Sequence, residues 1–109
     1  MKYLCLAYGD EKDWYARSKS EQDTLLAQDE VIRKSGNLVA AVKTATTVRA
    51  PNGKVTIADG PFAGTKLPLA GFYLIDAGDP NEVIELVSKT PCAQAGGAIE
   101  VWTLEQPGQ

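Results

Sequence analysis

The sequence contains no histidine. Ser-His-Asp and Cys-His catalysis need an imidazole as the base, and the usual zinc sites need it as a ligand. The absence of histidine therefore excludes these kinds of site together. Proton transfer, if the protein performs it, needs a carboxylate instead.

Cysteine is scarce as well. The two that are present, Cys5 and Cys92, lie far apart and form no C-x-x-C pair. A reducing cytosol disfavours a disulfide between them. We expect both to be small buried hydrophobic residues, which is the usual role of a free cysteine.

An excess of positive charge and long apolar runs are also missing. The net charge is −3, so no positive field attracts nucleic acid or an anionic membrane. No segment approaches the roughly 20 apolar residues of a membrane span. Residues 1–8 are apolar but lack the length and cleavage site of a signal peptide. We expect a cytosolic protein that binds neither nucleic acid nor membrane.

The length of 109 residues allows one hydrophobic core and is too short for two ordinary domains. We therefore expect a single domain over residues 1–105 and a flexible tail over residues 106–109. No clustered Asp/Glu motif is present for a metal ion. The sequence predicts no cofactor.

Three segments are rich in apolar and β-prone residues, and we predict that they are strands: 2–8 (KYLCLAY), 71–76 (GFYLID) and 98–104 (AIEVWTL). Side chains alternate between the two faces of a strand. In the first segment both faces are apolar, with Leu4 and Leu6 on one and Tyr3 and Cys5 on the other. This pattern predicts a central strand that is covered on both sides.

Two helices are predicted from their first turns. Ser18, with a glutamate three residues later, has the spacing of a capping box, and Gly36 is a natural stop. Asp79 has the composition of an N-cap, and Pro80 suits the first helical position. Pro91 is expected to end this second helix.

Residues 38–48 and 54–58 are β-prone and flank Asn52-Gly53. Asn-Gly tolerates the positive φ angles of a tight turn, so the segment is predicted to be a β-hairpin. Residues 59–70 contain two glycines and two prolines before the next strand. These are too many breakers for a helix or a central strand, and we predict a loop.

The order strand, helix, hairpin, strand, helix, strand predicts an α+β fold. It is the ferredoxin-like split βαβ arrangement with an added β-hairpin. Right-handed crossovers place both helices on one face of an antiparallel sheet. The second face is also apolar, so we expect a homodimer in which a second copy covers it, a dimeric α+β barrel. The alternative is that the loop 59–70 folds over that face.

A four-residue motif, DGPF at residues 59–62, resembles the signature of the DGPF subgroup of YCII-related proteins. Its surroundings are similar to that family as well: Ala63, Thr65-Lys66, 71–75 (GFYLI), 44–49 (TATTVR) and 97–101 (GAIEV). The resemblance covers nearly the whole chain. It implies a ferredoxin-like fold and a dimeric α+β barrel.

The resemblance also implies two kinds of function. Some relatives are lyases that act on chlorinated lactones, and others are encoded beside alternative sigma factors or joined to them. Members of the YCII type have a His-Asp pair proposed as the active site. The present sequence has no histidine, has Lys89-Thr90-Pro91 where such members often have an acidic residue, and has Gly64 where the DGPF pattern has glutamate.

Asp59 is the best-placed carboxylate for catalysis, because it lies at a strand end before a Gly-Pro turn. In the alternative interpretation Asp59 begins the turn and accepts the backbone N–H groups that follow it. Arg49 ends the neighbouring strand of the hairpin. It can bind a substrate carboxylate or pair with Asp59.

Other residues are predicted to contact a ligand. Thr65 and Lys66 can bind an anion, although a solvated loop is the simpler interpretation. Trp14 and Tyr15 can form a rim for an apolar ligand or pack over the barrel mouth. Three residues lie on strands that could line a dimer cavity: Tyr73, Glu100 and Trp102.

Two hypotheses of function follow. In the first, the protein is a small dimer that binds a small organic molecule in an apolar cavity, and its enzymatic form is a cofactor-free lyase or isomerase. In the second, it is a regulatory or protein-interaction module associated with an alternative sigma factor.

Overall fold

A computed structural model describes residues 1–105, and the predicted flexible tail, residues 106–109, lies outside them. The described part of the chain forms strands and helices with these bounds: β1 (Lys2–Tyr8), α1 (Glu11–Tyr15), α2 (Lys19–Lys34), β2 (Leu38–Ala41), β3 (Thr46–Arg49), β4 (Thr56–Asp59), β5 (Leu69–Asp76), α3 (Pro80–Val87), α4 (Pro91–Gln94) and β6 (Ala98–Thr103). No helix within it is long and apolar enough to cross a membrane.

The main sheet is antiparallel, with the strand order β2-β5-β1-β6. The two central strands, β1 and β5, are those whose sequences are apolar on both faces. The α+β prediction and the split βαβ arrangement are confirmed. β3 and β4 form a separate two-stranded sheet.

The caps of the two long helices are as predicted. The side chain of Ser18 accepts a hydrogen bond from the backbone N–H of Glu21 at the start of α2, and Gly36 has a φ of +89° after its end. Asp79 accepts from two backbone N–H groups at the start of α3. An N-cap of this kind satisfies donors that would otherwise lack a partner in the first turn.

One face of the sheet is covered by α2 and α3. The side chains of this core are each 5% exposed or less: Tyr3, Cys5, Ala7, Ile32, Tyr73, Ile75, Val83 and Val87. Burying a large apolar side chain contributes about 1.5–3 kcal/mol to stability. The alternation of side chains along β1 places Tyr3 and Cys5 on this face, under the helices.

The opposite face, here called the bare face, carries an apolar row across all four strands. Leu38 lies opposite Leu74, Leu74 opposite Leu4, and Leu4 opposite Trp102. Leu38 and Trp102 remain 51% and 54% exposed. The loop after β4 does not cover this row, and its Phe62 is itself 74% exposed.

The hairpin differs from its prediction. Residues 38–48 are not one strand, because β2 ends at Ala41 and β3 begins at Thr46 in the other sheet. β2 pairs with the start of β5, and its last bond runs from Val42 N–H to the carbonyl of Ala70. Pro68, just before that start, bonds toward the end of β1 instead, since its carbonyl accepts from the backbone N–H of Gly9. The Asn-Gly turn is confirmed, with φ of +56° and +79°.

Two short helices were not predicted. α1 lies where a polar loop was expected, and Asp10 caps it by accepting from the N–H of Lys12 at 3.0 Å. Pro91 was expected only to end the second helix, but α3 already ends at Val87 and Pro91 begins α4. Proline is compatible with both roles, since its missing N–H is harmless at the first helical position.

Candidate functional site

Two neighbouring cavities open where β1 ends. The first has a volume of about 220 Å³ and the second about 200 Å³. They share the walls formed by Ala70, Pro91 and Cys92. An apolar cavity of about 150 Å³ can hold a benzene ring, so either cavity has room for a one-ring compound.

The first cavity is lined by aromatic side chains of α1. Trp14 is half-buried and Tyr15 is exposed at its edge, where the sequence suggested a rim. The main chain holds its far wall, because the N–H of Gly97 donates to the carbonyl of Cys92 at 2.9 Å. A Cβ at Gly97 would lie 2.1 Å from the carbonyl oxygen of Tyr8, so α4 and the end of β1 approach closely only with glycine here.

The second cavity contains a pair of titratable side chains. The hydroxyl of Tyr73, on β5, donates to Oδ1 of Asp29, on α2, at 2.7 Å. Tyr73 is buried and Asp29 is half-buried. Arg33 lies one helical turn after Asp29 and lines the same cavity.

Burial is the main influence on the pKa of both side chains. It raises the pKa of Asp29, while the hydroxyl of Tyr73 and the charge of Arg33 act in the opposite direction. Burial also raises the pKa of Tyr73, and its bond to the Asp29 carboxylate raises it further. Tyr73 therefore acts as a hydrogen-bond donor, and Asp29 is the group that can exchange a proton.

Cys92 is half-buried in the shared wall, so the prediction of a buried cysteine is confirmed for Cys5 and only partly met by Cys92. Burial and the carboxylate of Asp29 both raise the pKa of the Cys92 thiol. A thiol is nucleophilic as the thiolate, so this site does not favour a cysteine nucleophile.

Thr90 lies just before α4. It is fully buried, and its hydroxyl donates to the carbonyl of Val87 at 2.6 Å. Among residues 1–105 no three His, Cys, Asp or Glu side chains are grouped so that they could hold a metal ion.

The predicted pair of Asp59 and Arg49 does not form among the described residues. Asp59 lies opposite Thr46 and Arg49 opposite Thr56, at opposite ends of the β3-β4 ladder. The guanidinium carbon of Arg49 lies 5.5 Å from the centre of the Phe62 ring, a cation–π contact. Neither residue lines one of the two cavities.

The remaining predicted contacts are divided among three places. Thr65 and Lys66 are exposed on the loop, and the Thr65 hydroxyl donates to the carbonyl of Leu67. Tyr73 lies under the helices, on the opposite side of the sheet from the other two strand residues. Glu100 and Trp102 lie on the bare face, where the indole N–H of Trp102 donates to the Glu100 carboxylate at 2.7 Å.

Sequence reasoning missed Asp29, Arg33 and Cys92. The signal for Asp29 was present, since it is spaced four and three residues from Leu25 and Ile32, the two buried residues of α2. A carboxylate on the apolar stripe of a helix needs a partner when the stripe is buried. The partner, Tyr73, is 44 residues away, so no local motif contains both.

The sequence profile of the YCII-related domain matches residues 1–105. A protein of Rhizobium meliloti (strain 1021), named only as uncharacterized, is 33% identical over 121 aligned positions. The match covers 100% of this chain and 98% of that protein.

One solved structure with a similar fold is 5-chloro-2-hydroxyhydroquinone dehydrochlorinase from Burkholderia phenoliruptrix AC1100, in complex with 2,5-dihydroxybenzoquinone. The TM-score is 0.51 at 19% sequence identity, over 96% of this chain and 94% of the other. Similarity at this level of identity shows the fold.

Proposed function

The chain belongs to the YCII-related family, and from that premise we propose that it binds a small organic molecule beside Asp29 and Tyr73 and acts on it as a cofactor-free lyase or isomerase. The observation that carries the proposal is the 2.7 Å hydrogen bond between these side chains in the wall of a cavity. We also assign the chain to the DGPF subgroup, on the motif at residues 59–62.

The chemistry follows from the environment of Asp29. A carboxylate whose pKa is raised is a stronger base than an exposed one, so it suits proton abstraction next to a carbonyl group. Arg33 lies beside it and supplies a positive charge for an anionic oxygen of the ligand. Trp14 and Tyr15 supply aromatic surface for a ring in the adjoining cavity.

A suitable first probe is 2,5-dihydroxybenzoquinone, the compound bound by the structural neighbour. It is a one-ring compound with acidic hydroxyl groups, which matches the size of the cavities and the charge of Arg33. We expect isothermal titration calorimetry to detect binding to the wild type and its loss in Asp29→Asn and Arg33→Gln.

The matched control is Asp23→Asn, the same substitution on an exposed position of the same helix, where the carboxylate pairs with Lys19. This variant is expected to bind as the wild type does. Equal binding by Asp29→Asn and Asp23→Asn would rule out the Asp29 site.

We further propose that the protein is a homodimer formed through the bare face. Its apolar row, Leu38, Leu74, Leu4 and Trp102, spans the full width of the sheet. Soluble monomers seldom expose continuous apolar patches of this kind. In this dimer, Asp59, Arg49 and Lys66 contact a ligand where one copy's loop and hairpin reach the other copy's cavity.

A second candidate function is a regulatory or protein-interaction module. It is favoured by the exposed apolar side chains of the β3-β4 hairpin, among them Val48 and Ile57. Pull-down from the source cell tests it, because such a module should recover a different protein. Recovery of the chain alone would contradict it.

A further inference from the structure

The β3-β4 hairpin with the loop that follows it, residues 46–62, is here called the arm. Its two faces differ. On one face the Thr47 hydroxyl donates to the carbonyl of Gly60 at 2.7 Å, and Phe62 lies against Arg49, so the arm's own loop contacts this face. On the other face Val48 and Ile57 are direct cross-strand neighbours and are 62% and 69% exposed.

The arm has no core of its own. Every side chain from position 41 to position 59 is exposed except that of Thr47. A single two-stranded hairpin is at best marginally stable in water, and the Val48–Ile57 face has nothing to pack against within the described residues. An ordered arm therefore needs a surface outside its own chain.

The size of the uncovered surface fits a second copy of this chain as that partner. The chain exposes 7731 Å², whereas a compact monomer of 11.7 kDa exposes about 5,900 Å². Its radius of gyration is 15.9 Å, against about 13 Å for a compact domain of this length. Two copies that each hide the excess would bury about 3,700 Å² in total, which is the size of an obligate homodimer interface.

We propose that the arm packs its Val48–Ile57 face on a second copy of this chain. The inference rests on the homodimer proposed above and extends its interface from the bare face to the arm. The two arms are related by the two-fold axis, so each copy contributes one arm and receives the other.

The experiment compares dimer dissociation constants, measured by sedimentation equilibrium, for the wild type and three variants. Ile57→Lys places a charge on the docking face. Ala58→Lys is the matched control, because it adds the same charge one residue away on the opposite face of the ribbon. Leu38→Lys changes the bare face at a position that is already half exposed, so it disturbs the sheet interface without disturbing the core.

We expect Ile57→Lys to weaken the dimer about 100-fold or more relative to Ala58→Lys, since a symmetric dimer contains the contact twice. Hydrogen exchange gives a second readout. The amides of β3 and β4 should be protected in the wild-type dimer and lose protection in Ile57→Lys, while those of β1 and β5 keep it.

Equal dissociation constants for Ile57→Lys and Ala58→Lys would overturn the arm proposal. If in that case Leu38→Lys still raises the dissociation constant of the dimer, the dimer through the bare face stands without the arm. A wild type that is monomeric at every concentration would overturn both. Arm amides that gain protection only when a different protein is added would show that the occupant is not a second copy. Binding of 2,5-dihydroxybenzoquinone is measured separately, so its failure leaves the result for the arm unchanged.

Discussion

Replacing Tyr73 with phenylalanine tests the Tyr73–Asp29 pair directly. The substitution removes one oxygen atom and keeps the buried ring, so it leaves the packing in place. It leaves the half-buried carboxylate of Asp29 without its 2.7 Å donor. A hydrogen bond to a charged group is worth about 1.5–3 kcal/mol, and partial exposure of Asp29 favours the lower end of that range. With a Tm shift of about 4–8 °C per kcal/mol, Tyr73→Phe should melt roughly 6–15 °C below the wild type.

The dependence of this loss on pH distinguishes the pair from general packing. The Tyr73 hydroxyl lowers the pKa of Asp29, so it favours the ionised carboxylate. The charged hydrogen bond from Tyr73 therefore contributes fully to stability above the raised pKa of Asp29, and its contribution declines as the pH falls through that pKa. At low pH the protonated acid retains only a neutral hydrogen bond, worth about 0.5–1.5 kcal/mol.

The assay is thermal unfolding at a fixed protein concentration, because the Tm of a dimer depends on concentration. The double variant Asp29→Asn with Tyr73→Phe completes a mutant cycle with the two single variants. A loss for Tyr73→Phe that is the same at low and neutral pH, together with additive effects in the cycle, would refute the proposed coupling.

Two further predictions concern the fold. Gly97→Ala would place a Cβ 2.1 Å from the carbonyl oxygen of Tyr8, so it should cost at least about 3 kcal/mol, whereas Gly64→Ala, with open space around it, should cost little. Urea denaturation checks this, and equal midpoints for the two variants would contradict it. Asp79→Ala removes the N-cap of α3 and should cost about 1 kcal/mol in the same assay. Asp79→Asn keeps an acceptor and should cost less, so equal losses for the two variants would count against the cap.

The elements that could be predicted from the sequence are those whose signals lie within a few residues. Ser18 and Asp79 begin their helices with side chains that accept from the next turn. The alternation in β1 and β5 is equally local, because the faces of a strand repeat every two residues. These features determine the order of elements and hence the split βαβ arrangement.

The elements that could not be predicted depend on partners far away in the sequence. The departure of the chain from the sheet after Ala41 follows from where β5 begins, which the composition of residues 38–48 does not contain. The candidate site likewise depends on residues that are far apart in the sequence. Asp59 was chosen for its local turn motif, whereas Asp29 meets Tyr73 through the packing of α2 on β5.

The wall between the two cavities is a helix of four residues, α4, which contacts the end of β1 through main-chain atoms at Gly97. The backbone fixes the position of this wall, and the side chain of Cys92 packs from it against the core. A smaller residue at position 92 would enlarge both cavities at their shared wall, and a larger one would reduce both. One position on α4 can thus change the shape of both cavities while the strands keep their register.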